Sequence, residues 1–467
     1  MRRKTTLAAG LAATALSLAP AGFAAPASNP PMAKKDTKTT EIHGDKLQDD
    51  YFWLRERSNP EVKAYLEAEN QYADDFMKGT EALQKKLYDE MLARIKQTDL
   101  TVPWKMRGFY YYTRTEEGKQ YPIYCRKKEN LQAPEQVLLD LNEMAKGERF
   151  MSVADWDVSD DGNLIAYTTD NTGFRDYTLH IRDLTTGKDF SESVFKVSSV
   201  AWAADNKTLF YANDDAAKRP YRIYRHTLGA DPKSDALVYE EKDEMFRVGV
   251  QRSGSRKFLL LVSGSHTADE WRILPADQPT GDWKLVAARE KDHEYAVDHR
   301  GDVLYIRTNS GGCRNFRVMT APLDDPKRES WKELVPCRED VMVSGIALFA
   351  SHMVLTEREG GLQQIRITDL ASGQSHRIAF PDPVYSAYPQ DNVEFDATTF
   401  RYNYQSLTIP QSVYDYDIAT RKSALLKRTE VLGGYDPSRY DSERRYATAS
   451  DGTKIPISLV YRKGLEK

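Results

Sequence analysis

The chain has 467 residues, 40% hydrophobic and 29% charged, with a formal net charge of -4. That length exceeds one ordinary core and suits a large repetitive domain with an added segment, while the near-balanced charge excludes the cationic surface that a nucleic-acid binder needs. Aromatic residues at 11%, with 27 Tyr among them, fit a sheet-rich protein, because ring side chains pack well on pleated surfaces.

In chain order the first element is a secretion signal over residues 1–27. Met1-Arg2-Arg3-Lys4 is a positive start, Leu7 to Ala19 an apolar run, and small residues follow from Ala21 to Ala27, with cleavage expected after Ala24 or Ala27. The apolar run falls short of the roughly 20 residues of a membrane span. No later stretch qualifies, so the expectation is an exported, periplasmic chain with no membrane span once the signal is removed.

Residues 28–100 read as a linker followed by helices. Asn59-Pro60-Glu61 starts one strongly: Asn caps free N–H groups, Pro suits the first position, and Glu favours the positive helix end. A helix over 60–76 places Val62, Tyr65, Leu66, Ala73 and Phe76 on one face, and a second over 80–96 spaces Leu83, Leu87, Met91 and Ile95 four apart. Short helices take most of their stability from packing an apolar face, so both stripes call for a partner that the chain does not obviously supply.

From residue 101 the pattern becomes short strands between polar turns. Trp156-Asp157-Val158 through Tyr167 is a strand, a turn and a strand, and it realigns about 46 residues later on Trp202 to Tyr211. Weaker copies follow at Val248 to Val262, Tyr295 to Ile306, Val343 to Leu355 and Val393 to Tyr404, with an earlier one at Phe109 to Thr115 and Ile123 to Arg126. Third strands alternate at Thr178 to Arg182, Arg222 to His226, Asn315 to Val318 and Gln364 to Ile367, and a fourth follows turns such as Thr185-Thr186-Gly187-Lys188. Four strands at that period are the mark of a propeller blade. The fold expected is therefore all-β, a seven-bladed β-propeller over residues 101–430.

Residues 431–467 form a linker and a last hairpin, in which Tyr446 to Ser450 and Thr453 to Tyr461 are joined at Asp451-Gly452, a strong turn signal. A hairpin is too small to stand alone, so it reads as the opening of a fold whose remainder is absent.

No catalytic, cofactor-binding or metal residue is expected in this sequence. The glycines of G-x-S-x-G relieve crowding around a strained nucleophile, and the nearest approach, Gly373-Gln374-Ser375-His376-Arg377, ends in Arg and sits in a hairpin, which makes Ser375 a turn residue. The eight histidines, among them His43, His266, His293 and His352, show no metal spacing. Asp160-Asp161, Asp214-Asp215 and Asp324-Asp325 lack the spacing of a calcium loop and read as solvated turns. Cys125, Cys313 and Cys337 lack zinc spacing. A Cys313–Cys337 disulfide suits an oxidising compartment, but buried free thiols are the preferred reading.

Asp49-Asp50-Tyr51-Phe52-Trp53-Leu54-Arg55 with Asn59-Pro60-Glu61-Val62 resembles the start of prolyl-oligopeptidase-type enzymes. Tyr110 to Arg114, Gly118 to Lys127 and Leu138 to Asn142 are more similar to the oligopeptidase B branch, and Ser450 to Lys463 resembles its junction into the hydrolase domain. The resemblance implies a serine endopeptidase cleaving short peptides after Arg or Lys with a Ser–His–Asp triad, its propeller limiting access. It also implies a C-terminal α/β-hydrolase domain, of which residues 431–467 hold the linker and the first strands, and which packs on residues 41–100 and on the propeller. No position here inherits a triad member, so the chain alone is expected to be inactive. The competing expectation is an exported, non-enzymatic propeller that binds peptides or a partner protein.

Overall fold

The computed structural model describes residues 29–465 and separates between Ile95 and Lys96 into two compact units. The signal and its cleavage points lie outside the described residues.

In the first unit a hairpin, Lys38–Ile42 and Asp45–Asp49, turns through His43 and Gly44, both left-handed. Helix α1, Pro60–Met77, opens as its sequence dictates: the Asn59 side chain accepts the Glu61 N–H at 2.9 Å, with Pro60 in the first turn. Helix α2, Glu81–Leu92, is shorter than the expected 80–96. The Arg94 and Ile95 amides donate to Met91 and Leu92 three residues back, so the last turn tightens and the helix stops. Trp53 and Val62 are buried, whereas Leu66, Phe76, Leu83, Leu87, Met91 and Ile95 are exposed. Among the described residues no helix is long and apolar enough to cross a membrane.

The second unit holds seven blade sheets, each built from consecutive antiparallel strands, and the two-stranded sheet of the final hairpin. Blade 1 runs from Asp99–Leu100 and Trp104–Met106 through Phe109–Thr115 and Ile123–Lys128 to Glu135–Asp140. Blade 2 spans Ser152–Val158 to Lys188–Phe195, blade 3 Val197–Trp202 to Ala236–Glu240, and blade 4 Arg247–Arg252 to Lys284–Ala287. Blade 5 spans Tyr295–Arg300 to Lys332–Val335, blade 6 Val341–Leu348 to Ser375–Arg377, and blade 7 Tyr385–Pro389 to Lys422–Arg428. Second strands such as Leu164–Asp170 and Thr208–Asp214 are almost wholly buried and fourth strands such as Lys422–Arg428 almost wholly exposed. Each blade therefore buries its middle between neighbours and turns its last strand to solvent, the arrangement of a seven-bladed β-propeller.

Asp157 explains the repeat that reads out from Trp156 and Trp202. Its carboxylate accepts the Trp202 amide at 3.0 Å and its carbonyl accepts the Trp202 indole at 3.1 Å, so the edge of blade 3 is satisfied by the innermost strand of blade 2. Trp202 is fully buried. Blades 7 and 1 share no strand. Their seam is held by Lys427 on Asp99 at 2.5 Å, the Arg401 guanidinium on the Pro103 carbonyl at 2.8 Å, and the Glu394 carboxylate on the Arg107 amide at 2.6 Å.

Three expectations are corrected. The blade 7 copy begins at Tyr385–Pro389 rather than at Val393, which lies in the loop before Thr399–Ser406; prolines 381, 383 and 389 crowd the short inner strand and blur its alternation. The third strand of blade 5 begins at Arg317 and not at Asn315, because Phe316 is left-handed (φ 60°) and cannot continue a ladder. Cys313 and Cys337 form a disulfide with Cα atoms 5.7 Å apart. The Asn315 side chain donates to the Arg338 and Glu339 carbonyls, folding the blade 5 loop onto the linker into blade 6, a proximity that spacing could not show. Cys125 is the free cysteine, buried in blade 1. The final hairpin pairs Tyr440–Thr448 with Lys454–Arg462 around Asp451-Gly452.

Candidate functional site

Ser375 opens a short outer strand, its hydroxyl 3.4 Å from the Arg366 guanidinium, with no helix after it. The histidines stay apart. His293 bonds Thr308 at 2.9 Å, His226 bonds Asp235 at 2.8 Å, and His352 stacks on Phe349. Among the described residues no group of three or more His, Cys, Asp or Glu could hold a metal ion.

One pair missed in the sequence is Ser255 and His299, 2.8 Å apart through Nδ1. His299 Nε2 donates to the Gly301 carbonyl at 2.6 Å, so Nδ1 accepts from the serine hydroxyl. A nucleophile's base needs its second nitrogen held by a group that steadies the positive ring. Here that nitrogen meets only a carbonyl, and the ring is 1% exposed, with burial lowering its pKa. The pair ties blade 4 to blade 5. The two residues stand about one repeat apart, and the repeat was the signal for them.

Because the strands alternate in direction, each propeller end has its own loops. The chain comes in at Asp99 and goes out after Arg428 at the near end, with the second-to-third turns and the links between blades; the first-to-second and third-to-fourth turns make the far end.

At the near end the blade 2 loop is built around Asp170. Burial opposes its charge, but bonds from the Thr172 amide at 2.8 Å, the Thr172 hydroxyl at 2.5 Å and the Arg175 amide at 2.7 Å hold its carboxyl below the usual range. The loop displays Phe174, 72% exposed. Lys218, in the turn of blade 3, donates to the Phe174 carbonyl and pairs with Asp176 at 3.0 Å. Its neighbour Arg219 donates to the Asp243 and Phe246 carbonyls at 2.9 and 3.0 Å, fixing the link that displays Met245, also 72% exposed. One turn thus fixes two loops that each hold an apolar side chain out to solvent. Such side chains can meet an apolar group of a peptide or of another domain.

At the far end three arginines gather on one carboxylate. Asp160 Oδ1 accepts from Arg107 at 2.5 Å and from Arg256 at 3.0 and 2.9 Å, and Oδ2 lies 3.4 Å from Arg252. Arg107 belongs to blade 1, Asp160 to blade 2, and the other two to blade 4, so the cluster joins two adjacent blades to a third that neighbours neither.

Six four-stranded blades and one five-stranded blade make an N-terminal peptidase propeller. The profile described as "Prolyl oligopeptidase, N-terminal beta-propeller domain" matches residues 30–429, and the chain belongs to that family, whose members are serine peptidases. Dipeptidyl aminopeptidase BI of Pseudoxanthomonas mexicana is 40% identical over 98% of this chain and 66% of its own length. Protease 2 of Moraxella lacunata is 33% identical over 93% of the chain and 63% of its own length. The solved oligopeptidase B of Leishmania major superposes with a TM-score of 0.87 at 28% identity, covering 94% of this chain and 66% of that one. The chain thus spans just under two thirds of the relatives it matches.

Proposed function

We propose that this chain is the propeller part of an exported serine oligopeptidase that cleaves short peptides after Arg or Lys, its bond-breaking groups lying on a hydrolase domain not contained in these residues. The observation that carries the reading is the Tyr440–Arg462 hairpin attached to a propeller that superposes on oligopeptidase B. A free propeller has no need of such a hairpin. The near end, with Phe174 and Met245 displayed on anchored loops, is the face at which a substrate or that domain would meet the propeller.

A second reading, removal of dipeptides from free N-termini, is favoured by the 40% identity to a dipeptidyl aminopeptidase. Both readings assign no chemistry to the present residues. The 467-residue chain should leave an arginyl peptide substrate intact, since loss of the nucleophile leaves at most weak residual catalysis. Hydrolysis above background that a serine-directed covalent inhibitor abolishes would refute this. Reading the gene past the codon for Lys467 and assaying its full product separates the readings: blocked N-termini are tolerated by an endopeptidase and refused by a dipeptidyl peptidase.

A further inference from the structure

We infer that the far-end groove over Arg252 and Arg256 binds a carboxylate, that of a short peptide's free C-terminus, between the two guanidinium groups. The groove, of about 620 Å3, is lined by both arginines together with Asp160, Ser255, Lys257 and Phe258. It lies at the opposite end from Phe174 and Met245 and needs nothing from the peptidase reading.

Arg107, Arg252 and Arg256 face two carboxylates, Asp157 and Asp160, which leaves one positive charge in excess. Asp160 is saturated on Oδ1, while Asp157 gives Oδ2 to the Trp202 amide and comes no nearer than 3.9 Å to Arg256. Glu394 accepts the main-chain N–H of Arg107, not its guanidinium. The Arg252 side chain is 4% exposed. Its Nη1 donates to the Trp202 carbonyl at 2.7 Å and its Nη2 to the Arg256 carbonyl, but its Nε is buried with no acceptor, as is that of Arg107. Burial, then the neighbouring charge of Arg256, draws the Arg252 pKa down to about 10. Buried charge without a counter-ion is costly, and an anion in the groove beside Arg252 and Arg256 offsets the excess positive charge.

A carboxylate carries the single charge the cluster lacks and matches the guanidinium fork. Exposed Lys257, Asp277 and Asp302 stand on the rim, where water and salt screen them far more than the floor. Phe258, Pro275 and Leu323 supply an apolar wall for the last side chain of a peptide.

The test is calorimetric titration of the 467-residue chain with an N-acetylated Ala-Leu dipeptide, its C-terminal amide, acetate and inorganic phosphate. The acid is expected to bind, the amide about tenfold or more weaker. Arg256→Gln should remove the preference for the acid, and Asp302→Asn should preserve it. Thermal melting without ligand shows whether each variant is folded; should Arg256→Gln fail, Arg256→Lys keeps the charge Asp160 needs, loses the planar fork and should weaken the acid alone. Acetate binding as well as the dipeptide supports a carboxylate site whose natural occupant is a small organic acid. Equal binding of acid and amide, tighter binding of phosphate, no heat at millimolar ligand, or indifference to both Arg256 variants would each overturn the inference.

Discussion

His352 lies face to face with Phe349, ring centroids 4.3 Å apart, and is 2% exposed. Burial lowers its pKa to about 4. Between about pH 6.5 and 4 the unfolded chain therefore takes up a proton that the folded chain refuses, so its contribution to stability is whole above that window and is lost as pH falls through it. Asp269 works the other way: burial first, and then Glu294, raise its pKa to about 6, against bonding from the Tyr295 amide. Its folded form holds a proton between about pH 3.8 and 6 that the unfolded form has released, so stability falls as pH rises through that range and the penalty persists above it. Asp269→Asn, which keeps an acceptor for Tyr295, should raise stability at pH 7.5 by about 1–2 kcal/mol and change little near pH 3.5. His352→Leu should flatten the loss on acidification. Urea midpoints across that pH range decide both, and an Asp269→Asn gain that is the same at every pH would contradict the assignment.

At the scale of elements, the link into blade 6 depends on a covalent tie. Cys313 and Cys337 close a separation of 24 residues beside Arg338, which reaches the fully buried carboxylate of Glu357. Replacing both cysteines by serine should cost about 2–4 kcal/mol, the usual worth of closing such a loop. Thiol titration gives an independent count. Burial pushes the Cys125 thiol up to about 12, so the native chain should show no reactive thiol, one after unfolding and three after reduction as well. Two further thiols before reduction would mean that the bridge does not form.

For the whole molecule the question is what covers the apolar residues that each unit leaves exposed. Leu83, Leu87 and Met91 on α2, and Ile455, Ile457, Leu459 and Val460 on the last hairpin, are exposed. Contiguous apolar surface drives association, so the chain by itself should self-associate in sedimentation experiments or be clipped by trypsin around residues 95–101, where the two units meet in sequence. A monodisperse, trypsin-resistant monomer retaining residues 41–100 would count against a missing covering domain.

How far the sequence could be read followed from how local each signal was. The blades were legible because each is made of consecutive strands, and the edge of one is closed by its neighbour in sequence, as Asp157 closes Trp202. Blade 7 was misplaced because its prolines hide the alternation. The cap at Asn59 was equally local. What escaped was side-chain contact that strand period does not encode: the disulfide and the Ser255–His299 tie join consecutive parts of the chain, whereas the gathering of arginines from blades 1 and 4 on Asp160 of blade 2 depends on the curved path of the sheets. By itself the sequence determined a repeating all-β chain without a nucleophile elbow, since period and turn chemistry act between near neighbours. Only the tertiary structure decided which charges are buried together at the far end, because burial and pairing of charge depend on distance in space and not along the chain.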